Sequence, residues 1–319
     1  MPSVAVADIG GTNCRLAVFD TYPSLSLKSQ RIVPTTGVEN ADALWEMLQA
    51  LCGSSLPQAV CIALAGPVAD GIGKLTNGQL CLDQKRLSAL AGVPCILCND
   101  FAAQAHACVT AAGQNAQPII REPKGTVTGT SRGVIGAGTG LGMALLVAEP
   151  AAEGSATPRH WRALPSEGGH AAFPFVGEEE FAFARYVSSE LKTAFVTAEQ
   201  VLCGQGLSRL HHFLTGERLT PPEVGRLALQ KESETLEWYA RFYGRACHAW
   251  LMSSLCCGGL WIAGGIAASN PLCVTHRAFA NAYLAHATGP DIAGKTPVFL
   301  MADSMSGLWG AASLASAHC

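Results

Sequence analysis

The sequence predicts an α/β protein organised as two lobes. Three observations carry that expectation. Apolar strand-like runs alternate with helix-periodic runs through both halves of the chain. A strand, a short glycine turn and a second strand occur in succession twice, at "SVAVADIGGTNCRLAVFD" and at "GVIGAGTGLGMALLVA". Between them lies the polar stretch "AAGQNAQPIIREPKGTVTGTSRG", where the lobe boundary is placed. The expected division is residues 1–112, joined by a C-terminal helix at about 303–319, against residues 113–302.

Composition fits a folded chain. Of 319 residues, 49% are hydrophobic and 14% charged, enough apolar surface for large cores. The net charge of −3, with 21 basic residues, argues against a nucleic-acid surface. No apolar run reaches the roughly 18–20 residues of a membrane span. The opening "MPSVAVADIGG" has no basic segment and meets Asp8 early, so a soluble cytoplasmic protein is expected. Thirteen cysteines without a secretion signal read as reduced, small hydrophobes. Cys95 and Cys98 lie in a strand-like run, where residues three apart face opposite ways, and Cys256 and Cys257 have no zinc-spaced partners, so both pairs read as structural.

The elements follow in order. "SVAVAD" alternates and is valine-rich, and "CRLAVFD" puts Arg15, Ala17 and Phe19 on one face and Leu16 and Val18 on the other, so the opening stretch is a hairpin. "QAVCIALAG" and "VPCILCND" read as buried strands. The second runs into a helix, "FAAQAHACVTAAG", expected to end at Gly113. After the second hairpin, "GEEEFAFARYVSSELK" and "ETLEWYARFYGRACHAWLMSSLC" have helical periodicity. "GGLWIAGGIAAS" reads as a buried strand ending in Gly264-Gly265, and "SGLWGAASLASA" as a closing helix rich in small residues.

Neither glycine turn enters a helix, so neither is a Rossmann or Walker loop. Backbone N–H groups of a tight turn can still hold an anion, and glycine admits a phosphate close to the backbone. Gly10, Gly11, Thr12 and Asn13 in one turn, and Gly138, Thr139 and Gly140 in the other, would clamp a nucleotide tail. Asp8, at the end of the first strand, is then placed to hold Mg²⁺ through water beside those phosphates. The competing reading is two tight turns with no ligand. Asn99 and Asp100 stand where a buried strand meets a helix, an edge that favours ligand sites, although both residue types are also good helix caps. "EGGH", Glu167 to His170, offers hydrogen-bonding groups suited to hydroxyls, and reads equally as an exposed loop.

Taken together and in this order, "DIGGTNCRLAVFD", "NDFAAQA", "GAGTGLGMALL", "LPSEGGHAAF", "AEQVLCGQGL" and "WIAGGIA" resemble the bacterial glucokinase family, within the sugar kinase, Hsp70 and actin superfamily. The matches run from near Val4 to about Ile266. The resemblance implies a two-lobed actin-like ATPase (ribonuclease H-like) fold with nucleotide and sugar in a cleft between lobes, and transfer of phosphate from ATP to the 6-hydroxyl of glucose. It implies that Asp100 is the general base, that Asn99, Glu167, His170 and Glu199 bind the sugar, and that Gly264 and Gly265 lie under the adenine. The expected partners are glucose and MgATP, with a homodimer as the assembly to test and no nucleic acid or membrane. Two departures stand out: Leu80 where the family has tryptophan, and "ADSMSGLWGAA" near the C-terminus, neither expected to touch a catalytic group. The cysteine-rich zinc motif of the related repressor and open-reading-frame kinase group is absent, so no structural zinc is expected. The alternatives are a kinase of another hexose or an amino-sugar, and a catalytically silent sugar sensor; a chaperone-type ATPase would need a large further domain.

Overall fold

The structure is a computed structural model that describes residues 2–121, 129–149, 160–285 and 291–319. Residues 122–128, in the stretch assigned to the lobe boundary, lie outside the described residues. The chain divides into two compact units. One comprises residues 1–115, 146–165 and 305–319; the other comprises residues 116–145 and 166–304.

The strands in chain order are β1 (Ser3–Ile9), β2 (Asn13–Asp20), β3 (Ser26–Pro34), β4 (Ala59–Leu64), β5 (Val68–Ala69), β6 (Ile72–Lys74), β7 (Cys81–Asp83), β8 (Cys95–Asn99), β9 (Gln117–Ile120), β10 (Ser131–Ala137), β11 (Leu141–Ala148), β12 (Trp161–Ser166), β13 (Leu260–Ala263) and β14 (Val298–Leu300).

The first unit is built on a five-stranded sheet of order β3-β2-β1-β4-β8. β1 and β2 form the antiparallel hairpin, with Asp8 opposite Arg15. β1, β4 and β8 run parallel, so their C-terminal ends share one edge, and that edge carries Asp8 and Asn99. Alternation sorts the side chains. Ala5, Ala7, Ile9 and Leu16 pack on Leu44, Trp45 and Leu48 of the helix Ala41–Cys52. Val4, Val6, Ala17 and Phe19 pack on the helix Ser306–Ser316 through Leu308, Ala311 and Ala315. That closing helix crosses Asp100–Ala107 at backbone distance, since a Cβ at Gly310 would stand 1.7 Å from the Ala103 carbonyl oxygen. Leu80 is buried in the first of these cores, and the Leu75 N–H donates to its carbonyl.

The helix expected to reach Gly113 is interrupted. It spans Asp100–Ala107, and a second short helix covers Ala111–Gln114. Cys108, Val109 and Thr110 donate to the carbonyls three residues back, which tightens the backbone. The Thr110 hydroxyl donates to the Ala107 carbonyl at 2.8 Å.

The second sheet has the order β12-β11-β10-β13-β14-β9; most of β12 and the end of β11 fall within residues 146–165 of the first unit, and the other strands belong to the second. β10, β13 and β14 are parallel, and β9, which the sequence reading left inside the boundary stretch, closes the edge antiparallel to β14. Pro118 opposite Phe299 fits an edge position, where a missing N–H costs no ladder bond. The helix Glu234–Ser254 runs through the core of this unit, burying Leu236, Tyr239, Phe242, Tyr243 and Trp250. Phe242 meets Phe173 edge-on at a centroid distance of 5.2 Å. Gly265 does not end β13. It opens a short helix, Gly265–Ser269, while Gly264, at φ +88°, makes the turn between them. All thirteen cysteines are free thiols and eight are buried. Cys61 and Cys98 approach to 3.9 Å between sulfurs. No helix among the described residues is long and apolar enough to cross a membrane.

Candidate active site

In the first unit the candidate groups gather at the C-terminal edge of β1, β4 and β8. The first glycine turn closes through the Gly10 N–H, which donates to the Asn13 carbonyl at 3.0 Å. Thr35, buried and distant in sequence, straps it. Its hydroxyl donates to the Gly10 carbonyl at 2.7 Å and its N–H to the Thr12 carbonyl at 2.9 Å. The N–H groups of Gly11 and Thr12 have no intramolecular partner among the described residues. Nor does any protein atom lie within 4 Å of where a Cβ on Gly11 would stand, so nothing inside the fold requires glycine there. An open glycine with free N–H groups beside it is a cradle for an anion.

Asp8 lies just before this turn. Burial pushes its carboxyl above the usual carboxylate range, and the Arg15 guanidinium pulls the other way. Its neighbour is Gly307, in the first turn of the closing helix, where a Cβ would come within 2.6 Å of the Asp8 Oδ2. The divergent segment "ADSMSGLWGAA" does touch a candidate group, because only glycine leaves room for the Asp8 carboxylate at position 307.

The Asn99-Asp100 pair divides its duties. Asn99 caps the helix, its Oδ1 accepting from the Phe101 N–H at 2.9 Å, and its Nδ2 donates to the Gly66 carbonyl at 3.0 Å. Asp100 is thereby released from capping as its main task, though its Oδ1 also lies 3.0 Å from the Phe101 nitrogen. Burial raises the Asp100 carboxyl to about 7, helped by the charge of Asp8, while hydrogen bonds from the Phe101 and Asp100 N–H groups and from Asn99 oppose the rise. Two half-buried carboxylates at the same edge are a costly pair without a cation. A divalent ion that keeps most of its waters fits such a donor set. Among the described residues no group of three or more His, Cys, Asp or Glu forms a closed metal cage.

In the second unit the β10–β11 turn has a matching construction. The Gly138 N–H donates to the Gly140 carbonyl at 2.8 Å, and the Gly204 N–H donates to the Gly138 carbonyl at 2.9 Å. The Tyr243 hydroxyl accepts from the Ala137 N–H at 3.2 Å, which pins the entry to the turn. Gly138, like Gly11, has open space where a Cβ would be. Gly140 does not, since a Cβ there would stand 2.7 Å from the Glu199 Oε2. That oxygen accepts from the Leu141 N–H at 2.9 Å, so Glu199 buttresses the turn from the helix Ala198–Leu202. A cavity of about 660 Å³ opens beside the turn, walled by Gly138, Thr139, Pro221, Gly265, Ile266 and others. Gly265 faces it with open space, whereas Gly264 is explained by packing, a Cβ there standing 2.5 Å from the Ala137 carbonyl oxygen.

A profile of the glucokinase family matches residues 5–318. The chain belongs to the glucokinase family. It is 31% identical to the glucokinase of Pseudomonas paraeruginosa, over 96% of this chain and 90% of the relative. Its fold is that of solved glucokinases. One from an Antarctic psychrotroph superimposes with a TM-score of 0.84, at 24% identity over 99% of both chains. A glucokinase from Streptomyces griseus, in complex with glucose and AMPPNP, superimposes with a TM-score of 0.66, at 19% identity over 98% of this chain and 99% of that one. These likenesses give the two-lobed actin-like fold.

The "EGGH" loop of this glucokinase-family chain is held by its glycines. A Cβ at Gly169 would come 2.2 Å from the Leu141 carbonyl oxygen, and one at Gly168 would come 2.8 Å from the Met143 sulfur. The loop therefore lies flat on β11. Glu167 and His170 project outward, their side chains 88% and 60% exposed, with His170 Nε2 3.5 Å from Glu167 Oε2. Thr35, Gly204, Tyr243 and Gly307 were not singled out in the sequence reading. Gly204 lies within "AEQVLCGQGL", so its motif was visible; nothing near Thr35 in sequence marks it as the strap of a turn 25 residues away.

Proposed function

We propose that this protein transfers the terminal phosphoryl group of ATP to the 6-hydroxyl of glucose, with Asp100 as the general base. The observation that carries this reading is the state of Asp100. It is half-buried at the C-terminal edge of the sheet, shares the Phe101 N–H with the Asn99 cap, and is raised to about 7 by desolvation and the charge of Asp8. A base with that value can take a hydroxyl proton near neutral pH and release it again afterwards. Phosphoryl transfer asks the protein mainly to position the nucleophile and neutralise charge. In this reading Asp100 accepts the proton of the 6-hydroxyl as its oxygen bonds to phosphorus. The side chains of Asn99, Glu167, His170 and Glu199 take ring hydroxyls. Glu199 serves the sugar through the oxygen that does not hold Leu141.

The phosphates of ATP lie on the free N–H groups of Gly11, Thr12, Thr139 and Gly140, with Thr12, Asn13 and Thr139 side chains beside them. Gly10, Gly138 and Gly264 give those cradles their shape, and Gly265 leaves room for the rest of the nucleotide. Asp8 would hold Mg²⁺ through water, and the ion would supply positive charge that offsets the phosphate oxygens and the two half-buried carboxylates. A homodimer remains the assembly proposed for the free enzyme in solution.

The test is turnover on a panel. Purified protein with MgATP should release ADP with glucose, more slowly or not at all with mannose, fructose, galactose or N-acetylglucosamine, and phosphorus NMR should show the new ester at the 6-oxygen. No turnover on any sugar by folded protein would return the chain to a sensor role.

A further inference from the structure

The cavity beside the second glycine turn has an amide pair in its wall that the phosphate and sugar chemistry does not use. The pair is Gln230, just after the helix Pro221–Ala228, and Asn270, at the end of the helix Gly265–Ser269. Two backbone carbonyls decide which way both amides point. The Asn270 Nδ2 donates to the Ile266 carbonyl at 2.9 Å, so its Oδ1 must face the other way. The Gln230 Nε2 donates to that Oδ1 at 2.7 Å and to the Ser269 carbonyl at 3.1 Å. A carbonyl can only accept, so flipping the Gln230 amide would set oxygen against oxygen. Both N–H bonds of Gln230 are thus committed, and what it can offer a ligand is its Oε1, an acceptor.

A nucleotide whose phosphates meet the turn at Gly138 and Thr139 leaves its base for the rest of this cavity. There Pro221, Pro222 and Ile266 supply apolar surface for a flat ring, and Gln230 supplies the polar edge. An acceptor at that edge matches the 6-amino group of adenine, a donor, and opposes the 6-oxo group of guanine or hypoxanthine. From this we infer that Gln230, oriented by Asn270, reads the 6-position of the nucleotide base and makes the enzyme prefer a 6-aminopurine triphosphate. The inference rests on the nucleotide reading proposed above and adds its specificity-determining residue. Arg226, also on the wall, carries only donors and would favour the opposite base.

Three triphosphates separate the effects: ATP, ITP with its 6-oxo group, and purine riboside 5′-triphosphate with nothing at the 6-position. The expected order of kcat/KM is ATP, purine riboside triphosphate, ITP, with ATP ahead of ITP by roughly tenfold or more, the scale of one matched against one mismatched hydrogen bond. Gln230→Leu should bring ATP down to the level of purine riboside triphosphate through KM, with kcat held, because the base is bound alike before and during the reaction. Equal use of ATP and ITP by the wild type, a preference for ITP, or full discrimination in a folded Gln230→Leu protein would each overturn the inference. Calorimetric binding of ADP, IDP and purine riboside diphosphate to the wild-type protein gives the same order without turnover or any variant. ADP bound more tightly than IDP by an inactive protein would keep this inference and remove the kinase reading; equal affinities in an active one would do the reverse.

Discussion

Asp100 is a residue whose usefulness and cost share one cause. The same burial that raises its carboxyl to about 7 makes the charged form unfavourable in the folded state. Its ordinary value is 3.8, so the folded protein holds the proton more tightly than the unfolded chain does. The linked stability is therefore whole below about pH 4 and is lost as pH rises through about 7. Asp100→Asn removes that loss and keeps the Asn99 cap. Its thermal midpoint should exceed that of the wild type by a few degrees at pH 8, with the gap closing toward pH 5. Parallel midpoint curves across that range would mean that Asp100 is not buried as a charge. The sequence made Asn99 and Asp100 legible as a pair but not as cap and base. Both residue types cap well, both side chains accept from the Phe101 N–H, and only the Asn99 bond to the Gly66 carbonyl tells them apart.

At the level of elements, two hairpins share a construction, and the glycines in and around them divide into two kinds. Gly140, Gly169, Gly264 and Gly307 are glycines because protein atoms fill the space of a side chain; Gly11, Gly138 and Gly265 are glycines with nothing of the protein in that space. The second kind leaves open space, as the proposed nucleotide contacts require. Gly138→Val should therefore fold normally and weaken ATP binding by at least about tenfold, a loss of roughly 1.4 kcal/mol, while glucose affinity holds within about twofold. Titration calorimetry with each ligand checks this, and unchanged ATP affinity would make the turn a plain hairpin. The strands of both hairpins were legible because alternation and glycine are local signals. The break after Ala107 was not. Thr110 bonding back to the Ala107 carbonyl is a side-chain choice that periodicity does not record. The strand β9 escaped notice because four residues around a proline carry too little pattern. Gly307 escaped because its reason, the Asp8 carboxylate, lies almost the whole chain away.

On the scale of the whole molecule, the candidate groups are divided between the two units. The first holds the Asp8 and Asp100 carboxylates, the Asn99 cap and a glycine turn strapped by Thr35. The second holds the other turn, the cavity read by Gln230, and the outward-facing Glu167 and His170. Glu199 joins two of these, since its carboxylate both supports the Gly138–Gly140 turn and is proposed to meet the sugar. The order of motifs along the sequence, more than any single one, pointed to the glucokinase family. The central claim is that Asp100 takes the proton from the glucose 6-hydroxyl. It is tested most directly by single-turnover phosphorylation of glucose by wild type and Asp100→Asn, with glucose affinity measured on the same preparations. The account predicts a phosphoryl-transfer rate lower by roughly 10²–10⁴-fold in the variant, with glucose affinity changed only a few-fold. Near-normal transfer by the folded variant would contradict it.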